Sequence, residues 1–139
     1  CSSKEWINMN IAEAFVEYME DLSMGTLGST IYINSVPQEA PDAVWWVVKS
    51  GGSPVRKNST GERVKDYTLS IYYRDTDAEQ VYELMQDFEE EINSKSCIQL
   101  DGYDTIEMEA SIFPTDQDLD NEDRVVGLLN VRISVYQNW

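Results

Sequence analysis

The sequence contains no histidine and only two cysteines, Cys1 and Cys97, which lie almost a chain length apart. Without histidine, the common catalytic triads, Cys–His nucleophiles and histidine-ligated metal sites cannot be built. The two cysteines do not have the spacing of a disulfide framework and fit a reducing compartment. Gly51 and Gly52 lack the following helix and the Lys-Ser/Thr ending of a phosphate-binding loop. The sequence therefore predicts neither an enzyme nor a bound cofactor.

Positive charge is also scarce, because 10 lysines and arginines stand against 26 aspartates and glutamates, giving a net charge of −16. Phosphate binding requires clustered lysine and arginine, so this charge opposes general affinity for DNA or for anionic membranes. No stretch approaches the roughly 18 uncharged apolar residues of a membrane helix. An acidic surface favours solubility, and it can also guide docking onto a basic partner; composition leaves both readings open.

The remaining composition is that of one folded domain. The chain has 139 residues, of which 42% are hydrophobic. This length fits a single domain, and this apolar content argues against disorder. Since no internal repeat or linker interrupts the chain, we expect one α+β domain over residues 1–139.

Two segments have the three- and four-residue apolar spacing of amphipathic helices. The first covers residues 10–22, with Gly25 as its predicted stop. The second covers residues 77–94, where Thr76 and Glu79 have the spacing of a capping box. Both helices have one apolar stripe, so each is expected to pack against a sheet.

Five segments have the alternation or the apolar runs of β-strands. They cover residues 29–34, 42–49, 63–74, 106–113 and 125–136. The resulting order, α-β-β-β-α-β-β, lacks the βαβ repeat of a parallel sheet. It predicts the α+β class, with a mixed or antiparallel sheet of about five strands and both helices on one face.

A basic segment joins the second and third predicted strands. It contains half of the bases of the chain within 17 residues: Lys49, Arg56, Lys57, Arg63 and Lys65. The absence of periodicity predicts a flexible hairpin loop at about residues 50–63. Such a loop can be a solvated connection, a contact with an acidic face of a neighbouring subunit, or the lining of a DNA-conducting lumen. We favour the subunit contact, because ten bases in total give poor affinity for DNA.

Two tryptophans are adjacent in the second predicted strand. Trp45 and Trp46 point to opposite faces of a regular strand, so at least one is expected in the core. Tryptophan is enriched at protein interfaces, which makes Trp46 a candidate exposed contact. Trp139, near the terminus, is a second candidate.

Carboxylates are the remaining source of chemistry. Glu107 and Glu109 share one face of a predicted strand, an arrangement typical of a solvated face. The acidic segment 116–123 superficially suggests a calcium loop, but it lacks the glycine at the sixth position and the glutamate at the twelfth. We therefore predict no metal site, and an enzyme that uses carboxylates alone would need a deep pocket that brings two acids together.

The order of these features resembles the tail terminator proteins of long-tailed bacteriophages, often labelled minor capsid proteins. The likeness runs through most of the chain as a pattern of elements. The residues that carry it are Pro41-Asp42-Ala43, the turn Gly51-Gly52-Ser53-Pro54, the alternating strand from Tyr67 to Arg74, Asp77-Ala78 and the final Val135-Tyr136.

This resemblance implies a structural protein of the virion. Family members form a ring, typically hexameric, that ends the tail tube at its head-proximal end and meets the capsid connector. The implied partners are further copies of the chain, the tail tube protein and the connector or head-completion protein, with DNA only as passing cargo and no membrane. The implied location is the tail–neck junction of the virion, after assembly in the host cytoplasm. The alternative function is a small acidic protein-binding module or a DNA-mimicking inhibitor.

Overall fold

A computed structural model of the chain describes residues 11–52, 56–57, 61, 63–94, 100, 105–112, 118–119 and 124–136. Within these residues the elements, in chain order, are α1 (Ile11–Asp21), β1 (Ile31–Ile33), β2 (Val44–Gly52), β3 (Arg56–Lys57), β4 (Arg63–Asp75), α2 (Ala78–Ser94), β5 (Thr105–Ile112), β6 (Asp118–Leu119) and β7 (Val125–Tyr136). No helix of the described chain is both long and apolar enough to cross a bilayer.

The strands form one mixed sheet in the order β1-β2-β4-β7-β5, with the short β3 and β6 paired to β4 and β7. The central pair, β4 and β7, is antiparallel and keeps its register over twelve consecutive residue pairs, from Val64 opposite Tyr136 to Asp75 opposite Val125. Strand β1 is parallel to β2, whereas the other pairs are antiparallel. The predicted α+β class and mixed sheet are confirmed.

Alternation along the strands places apolar side chains on one face of the sheet, where both helices cover them. The centre of this core consists of side chains without exposed surface, including Leu69, Ile71, Leu129, Val131 and Ile133. Helix α2 lies very close to β7, since a Cβ atom at Gly127 would come within 2.8 Å of Val81 Cγ1. Helix α1 joins the same layer through Phe15, whose ring centre lies 5.9 Å from that of Phe88 in α2. The prediction of two helices on one face is confirmed.

Helix α1 ends earlier than its glycine predicts. Ser23 has a left-handed backbone with φ of 62°. The Ser23 amide donates to the carbonyl of Glu20, and the Met24 amide donates to the carbonyl of Met19. This is the hydrogen-bond pattern of a Schellman cap, with serine where glycine is usual. The predicted stop at Gly25 is wrong, because backbone donors close the helix two residues earlier.

Helix α2 also begins differently from the prediction. The cap is Asp77, whose Oδ1 accepts from the amide of Glu79 at 3.0 Å. The Thr76 side chain does not fill this role, because its hydroxyl is directed to Asp75 Oδ1 at 3.4 Å, the same oxygen that accepts from its amide at 2.7 Å. The capping box at Thr76 is therefore wrong by one residue, although an acidic cap still favours the positive end of the helix dipole.

The β2–β4 hairpin extends further than the sequence indicates. Strand β2 continues to Gly52, with an irregularity between Lys49 and Gly51, and β3 pairs with β4 beyond that point. Part of the segment predicted as a loop is therefore in the sheet. Residues 53–55, 58–60 and 62 lie outside the described residues, so a flexible loop there stays a prediction.

Local hydrogen bonds occupy some of the backbone groups on both edges of the sheet. On edge strand β5, the Asn93 side chain of α2 donates to the carbonyl of Ala110 and accepts from its amide, both at 2.9 Å. The amide of Ile112 donates to Glu89 Oε2 at 2.8 Å. On edge strand β1, the carbonyl of Ile31 accepts from the amide of Gly28 at 2.9 Å. Strand edges with free backbone groups pair with other chains, so these bonds oppose extension of the sheet.

We predict that Asn93→Ala lowers the free energy of unfolding by about 1–2 kcal/mol, because it leaves two backbone groups of Ala110 unpaired. It should also increase aggregation through β5. Urea unfolding and light scattering measure the two effects. Asn93→Asp keeps the acceptor and loses the donor, so it should give an intermediate result. If Asn93→Ala has wild-type stability, the side chain does not close this edge.

Candidate interaction surfaces

The face of the sheet opposite the helices carries an aromatic and aliphatic patch. Its half-buried members come from three adjacent strands: Trp46, Val48, Tyr72, Val126 and Leu128. Trp46 and Tyr72 are cross-strand partners whose rings stack, with centres 5.0 Å apart and planes 9° from parallel. Stacking of this kind contributes about 0.5–1.5 kcal/mol beyond burial. We call these five residues the open-face patch.

The structure separates the two adjacent tryptophans as alternation predicts. Trp45 is buried on the helix side, with its ring centre 4.5 Å from that of Tyr73 and 5.6 Å from that of Phe88. Trp46 lies on the opposite face and is half-buried rather than fully exposed, because Tyr72 covers one side of its ring. Trp139 lies outside the described residues.

The other end of the same face is polar. Arg132 of β7 donates to Glu107 at 3.2 Å and to Glu109 at 2.7 Å. The three side chains are about half exposed, so the ion pairs contribute little to stability. Both carboxylates are held by one guanidinium across neighbouring strands. This is a cross-strand ion pair, and it occupies the two acids that share this strand face.

A buried arginine fixes the segment that precedes β2. Arg74 donates from Nη2 to the carbonyl of Pro41 at 2.8 Å and from Nε to the carbonyl of Asp42 at 3.2 Å. Arg124 forms an ion pair with the Asp42 carboxylate at 3.3 Å. Arg74 lies on the same side of β4 as Tyr72, away from the helices, and the two backbone carbonyls cover it there. This arrangement gives the Pro41-Asp42 pair a structural role.

The basic residues singled out from the sequence lie at one end of the β2–β4 hairpin. In the backbone register, Lys57 is opposite Arg63, and Arg56 is opposite Val64. Lys49 Nζ and Lys65 Nζ lie 5.3 and 5.8 Å from the centre of the Tyr67 ring. We call Lys49, Arg56, Lys57, Arg63 and Lys65 the basic end. Two ammonium groups beside one ring give this end a concentrated positive charge, and the aromatic face stabilises them.

A cleft of about 810 Å³ lies at the opposite end of the hairpin, between the end of α1 and helix α2. Its apolar lining includes Trp45, Tyr73, Phe88 and Leu84, and its acidic lining is Asp87 and Glu91. The two acids lie one turn apart on α2, so both face the same side of the helix. We call this site the acidic cleft. Sequence reasoning missed it, because its walls come from segments separated by up to 69 positions, from Leu22 to Glu91.

Two tyrosines near the acidic cleft hold their protons more tightly than usual. Burial, and then the negative charge of Glu91, raise the pKa of Tyr18 to about 12. Burial, and then the hydrogen bond from Tyr73 to Asp75 and the charge of that carboxylate, raise the pKa of Tyr73. The Tyr18 hydroxyl is buried and has no hydrogen-bond partner among the described residues. These hydroxyls are therefore neutral at physiological pH and serve packing.

The described residues contain no group of three or more acidic or cysteine side chains able to hold a metal ion. Most of the acidic segment 116–123 lies outside this part of the chain, apart from the backbone of β6. The described residues do form three surfaces that differ in charge and in aromatic content: the open-face patch, the basic end and the acidic cleft.

Comparison with known families gives these surfaces a context. A family model described as bacteriophage tail terminator protein matches residues 18–137, which include all seven strands and helix α2. The chain is therefore a structural protein of the phage tail and a component of the virion. It belongs to the bacteriophage tail terminator family. A search of curated proteins found no match to the chain.

We predict that stability falls as the pH rises from about 10 to about 12. Tyrosine in the unfolded chain ionises near pH 10, whereas folded Tyr18 keeps its proton to a pKa of about 12, so alkali favours the unfolded state in this window. Tyr18→Phe should reduce this fall and leave stability at pH 7 unchanged or slightly higher. Urea unfolding at both pH values tests this, with Tyr82→Phe as an exposed control. A loss of more than about 1 kcal/mol at pH 7 would show that the hydroxyl has a partner.

Proposed function

We propose that this chain forms a homo-oligomeric ring, of six subunits, that caps the head-proximal end of the tail tube and joins it to the capsid connector. Family membership supports a structural role in the phage tail, since the chain belongs to the tail terminator family. The proposed location within the virion is the tail–neck junction. No chemical step is required, because capping depends on shape and charge complementarity.

The observation that carries this proposal is the basic end of an otherwise acidic subunit. A ring of identical subunits has heterologous interfaces, in which one patch must match a different patch of the same molecule. Five of the ten bases of the chain lie at one end of one hairpin, whereas the net charge is −16. The basic end and the acidic remainder satisfy this requirement. A lumen contact with passing DNA is a weaker use of the same residues, since so few bases give low affinity.

The open-face patch provides a second, uncharged surface for the tail tube protein or for the connector. Its aromatic pair has the composition of interface hot spots, which are enriched in tryptophan and tyrosine. It lies on the sheet face that neither α1 nor α2 covers. With the sheet edges closed by Asn93 and Gly28, contacts through faces and ends are favoured over strand addition.

We predict that native mass measurements over a concentration series, with negative-stain imaging, detect a closed ring of six subunits. Added tail tubes should carry the ring at one end only. A protein that stays monomeric at every concentration, does not cap tubes and binds basic proteins tightly would contradict the proposal. That result would support the acidic binding module or DNA-mimicking inhibitor instead.

The same measurement tests the basic end. Arg56→Glu with Lys57→Glu should weaken self-association at least tenfold, because two attractive contacts become repulsive. Arg56→Lys with Lys57→Arg keeps the charge and serves as the matched control. Ring stability that is unchanged by the charge reversal would remove the basic end from the subunit interface.

We predict that Trp46→Ser weakens binding to the tail tube or to the connector roughly 30-fold, as expected for a hot spot of about 2 kcal/mol. Sedimentation of the variant with purified tubes, and separately with connectors, identifies the partner. Trp46→Phe keeps an aromatic ring opposite Tyr72 and should retain most of the binding. If Trp46→Ser binds both partners normally and is folded by circular dichroism, the open-face patch is not a contact.

A further inference from the structure

The lining of the acidic cleft is suited to a cationic side chain with an aliphatic stem. Leu22, Met24 and Leu84 supply partly exposed apolar surface above the buried rings of Trp45, Tyr73 and Phe88, and Asp87 and Glu91 supply negative charge at the helix surface. Lysine and arginine bury their methylene stems against apolar surface while the charged group reaches a carboxylate.

The size of the cleft allows more than one such side chain. Pockets of about 300–1,000 Å³ accept whole drug-sized ligands, and this cleft measures about 810 Å³. A cluster of bases on a short rigid segment therefore fits better than a single lysine. The occupant required is a basic segment with several cationic side chains close together.

Within the described chain, the basic end is the source of such a segment. Three other arginines are engaged inside the fold: Arg74 with backbone carbonyls, Arg124 with Asp42, and Arg132 with two glutamates. Lys49 is exposed, and its ammonium group and that of Lys65 lie 5.3 and 5.8 Å from the centre of the Tyr67 ring. These two lysines thus place two cations at this end of the hairpin.

The basic end cannot enter the acidic cleft of its own subunit. Trp45 in the cleft and Lys49 are four residues apart on β2, which is about 13 Å at 3.3 Å per residue. Tyr73 and Lys65 are eight residues apart on β4, which is about 26 Å. The paired strands between them are held in register, so the two sites stay at opposite ends of one rigid hairpin. A donor and an acceptor placed in this way can meet only between copies.

We propose that the acidic cleft of each subunit receives the basic end of a neighbouring copy, which joins the subunits head to tail. This inference rests on the ring proposed above and names the acceptor surface of its interface. Charge complementarity carries the assignment, since the acceptor is acidic and aromatic whereas the donor is the densest cluster of bases in the chain. Repeated contacts of this kind close a ring when the rotation between copies permits it.

Reciprocal charge reversal tests the proposal in the full chain. The cleft variant carries Asp87→Lys with Glu91→Lys. The basic-end variant carries Lys49→Glu, Arg56→Glu, Lys57→Glu and Lys65→Glu, so that Arg63 is the one base left among the five and the sign of this end is reversed. Each alone should lose self-association by at least tenfold. An equimolar mixture should recover it, because every interface then joins opposite charges in alternating order. Lysine near the end of α2 is favourable for the helix dipole, so the cleft variant should stay folded.

The matched control is Glu83→Lys with Glu90→Lys. It makes the same change in net charge on exposed positions of the same helix, outside the lining of the cleft. This control should associate much more strongly than the cleft variant. If the control and the cleft variant weaken association equally, diffuse charge and not the cleft is responsible, and the proposal is overturned.

A second readout separates this inference from the ring itself. A fluorescently labelled peptide of residues 47–67 is titrated against protein dilute enough to be monomeric, with a peptide in which glutamine replaces all five bases as control. Binding should be at least tenfold weaker to the cleft variant than to the wild type. If the wild type forms a ring that tolerates both charge reversals, the ring stands and the cleft proposal fails. If no ring forms even on tail tubes, cleft-dependent peptide binding supports a basic occupant, and absence of binding overturns it.

Discussion

The twelve-pair ladder between β4 and β7 is the constraint on which the rest of the structure depends. An uninterrupted register fixes which side chains face the helices and which face outward over the whole length of the sheet. Leu69 and Ile71 therefore lie in the core, whereas Tyr72 is held opposite Trp46 on the other face. A slip of one residue would exchange the two faces and destroy the core and the outer patch together.

Much of the fold follows from local patterns in the sequence. Period-two alternation in β7 and the apolar stripe of α2 predict most of the buried residues, because burial of one face imposes that spacing. Two residues differ: Tyr82, which belongs to the predicted stripe, is 50% exposed, and Ser134, predicted to face outward, is buried. The helix ends depend on single hydrogen bonds, which residue spacing does not reveal. For this reason the predicted stop at Gly25 was wrong by two residues, and the predicted capping box at Thr76 was wrong by one. The extension of β2 to Gly52 was also missed, since glycine and serine have weak strand propensity and pairing with β4 outweighs it.

Of the candidate surfaces, one could be predicted from the sequence and two could not. The clustering of the bases was visible in the sequence because those residues are close along the chain. The acidic cleft was not, since Leu84 and Trp45 meet only after α2 packs on the sheet. The stacking of Tyr72 on Trp46 required the register between β2 and β4. For a structural protein of the phage tail, the distribution of charge and aromatic area over the sheet is where function is to be sought.

The hydrogen bonds at the edges of the sheet affect how specifically the chain can choose its binding partners. A free strand edge recognises only the peptide backbone, so it accepts nearly any extended segment whatever its sequence. Here the Asn93 amide and the Gly28 turn occupy backbone groups on the two outer strands. Binding partners must therefore be recognised through side-chain contacts, and side chains differ from one protein to another. Such a chain discriminates between partners by their sequence, and indiscriminate strand exchange is suppressed.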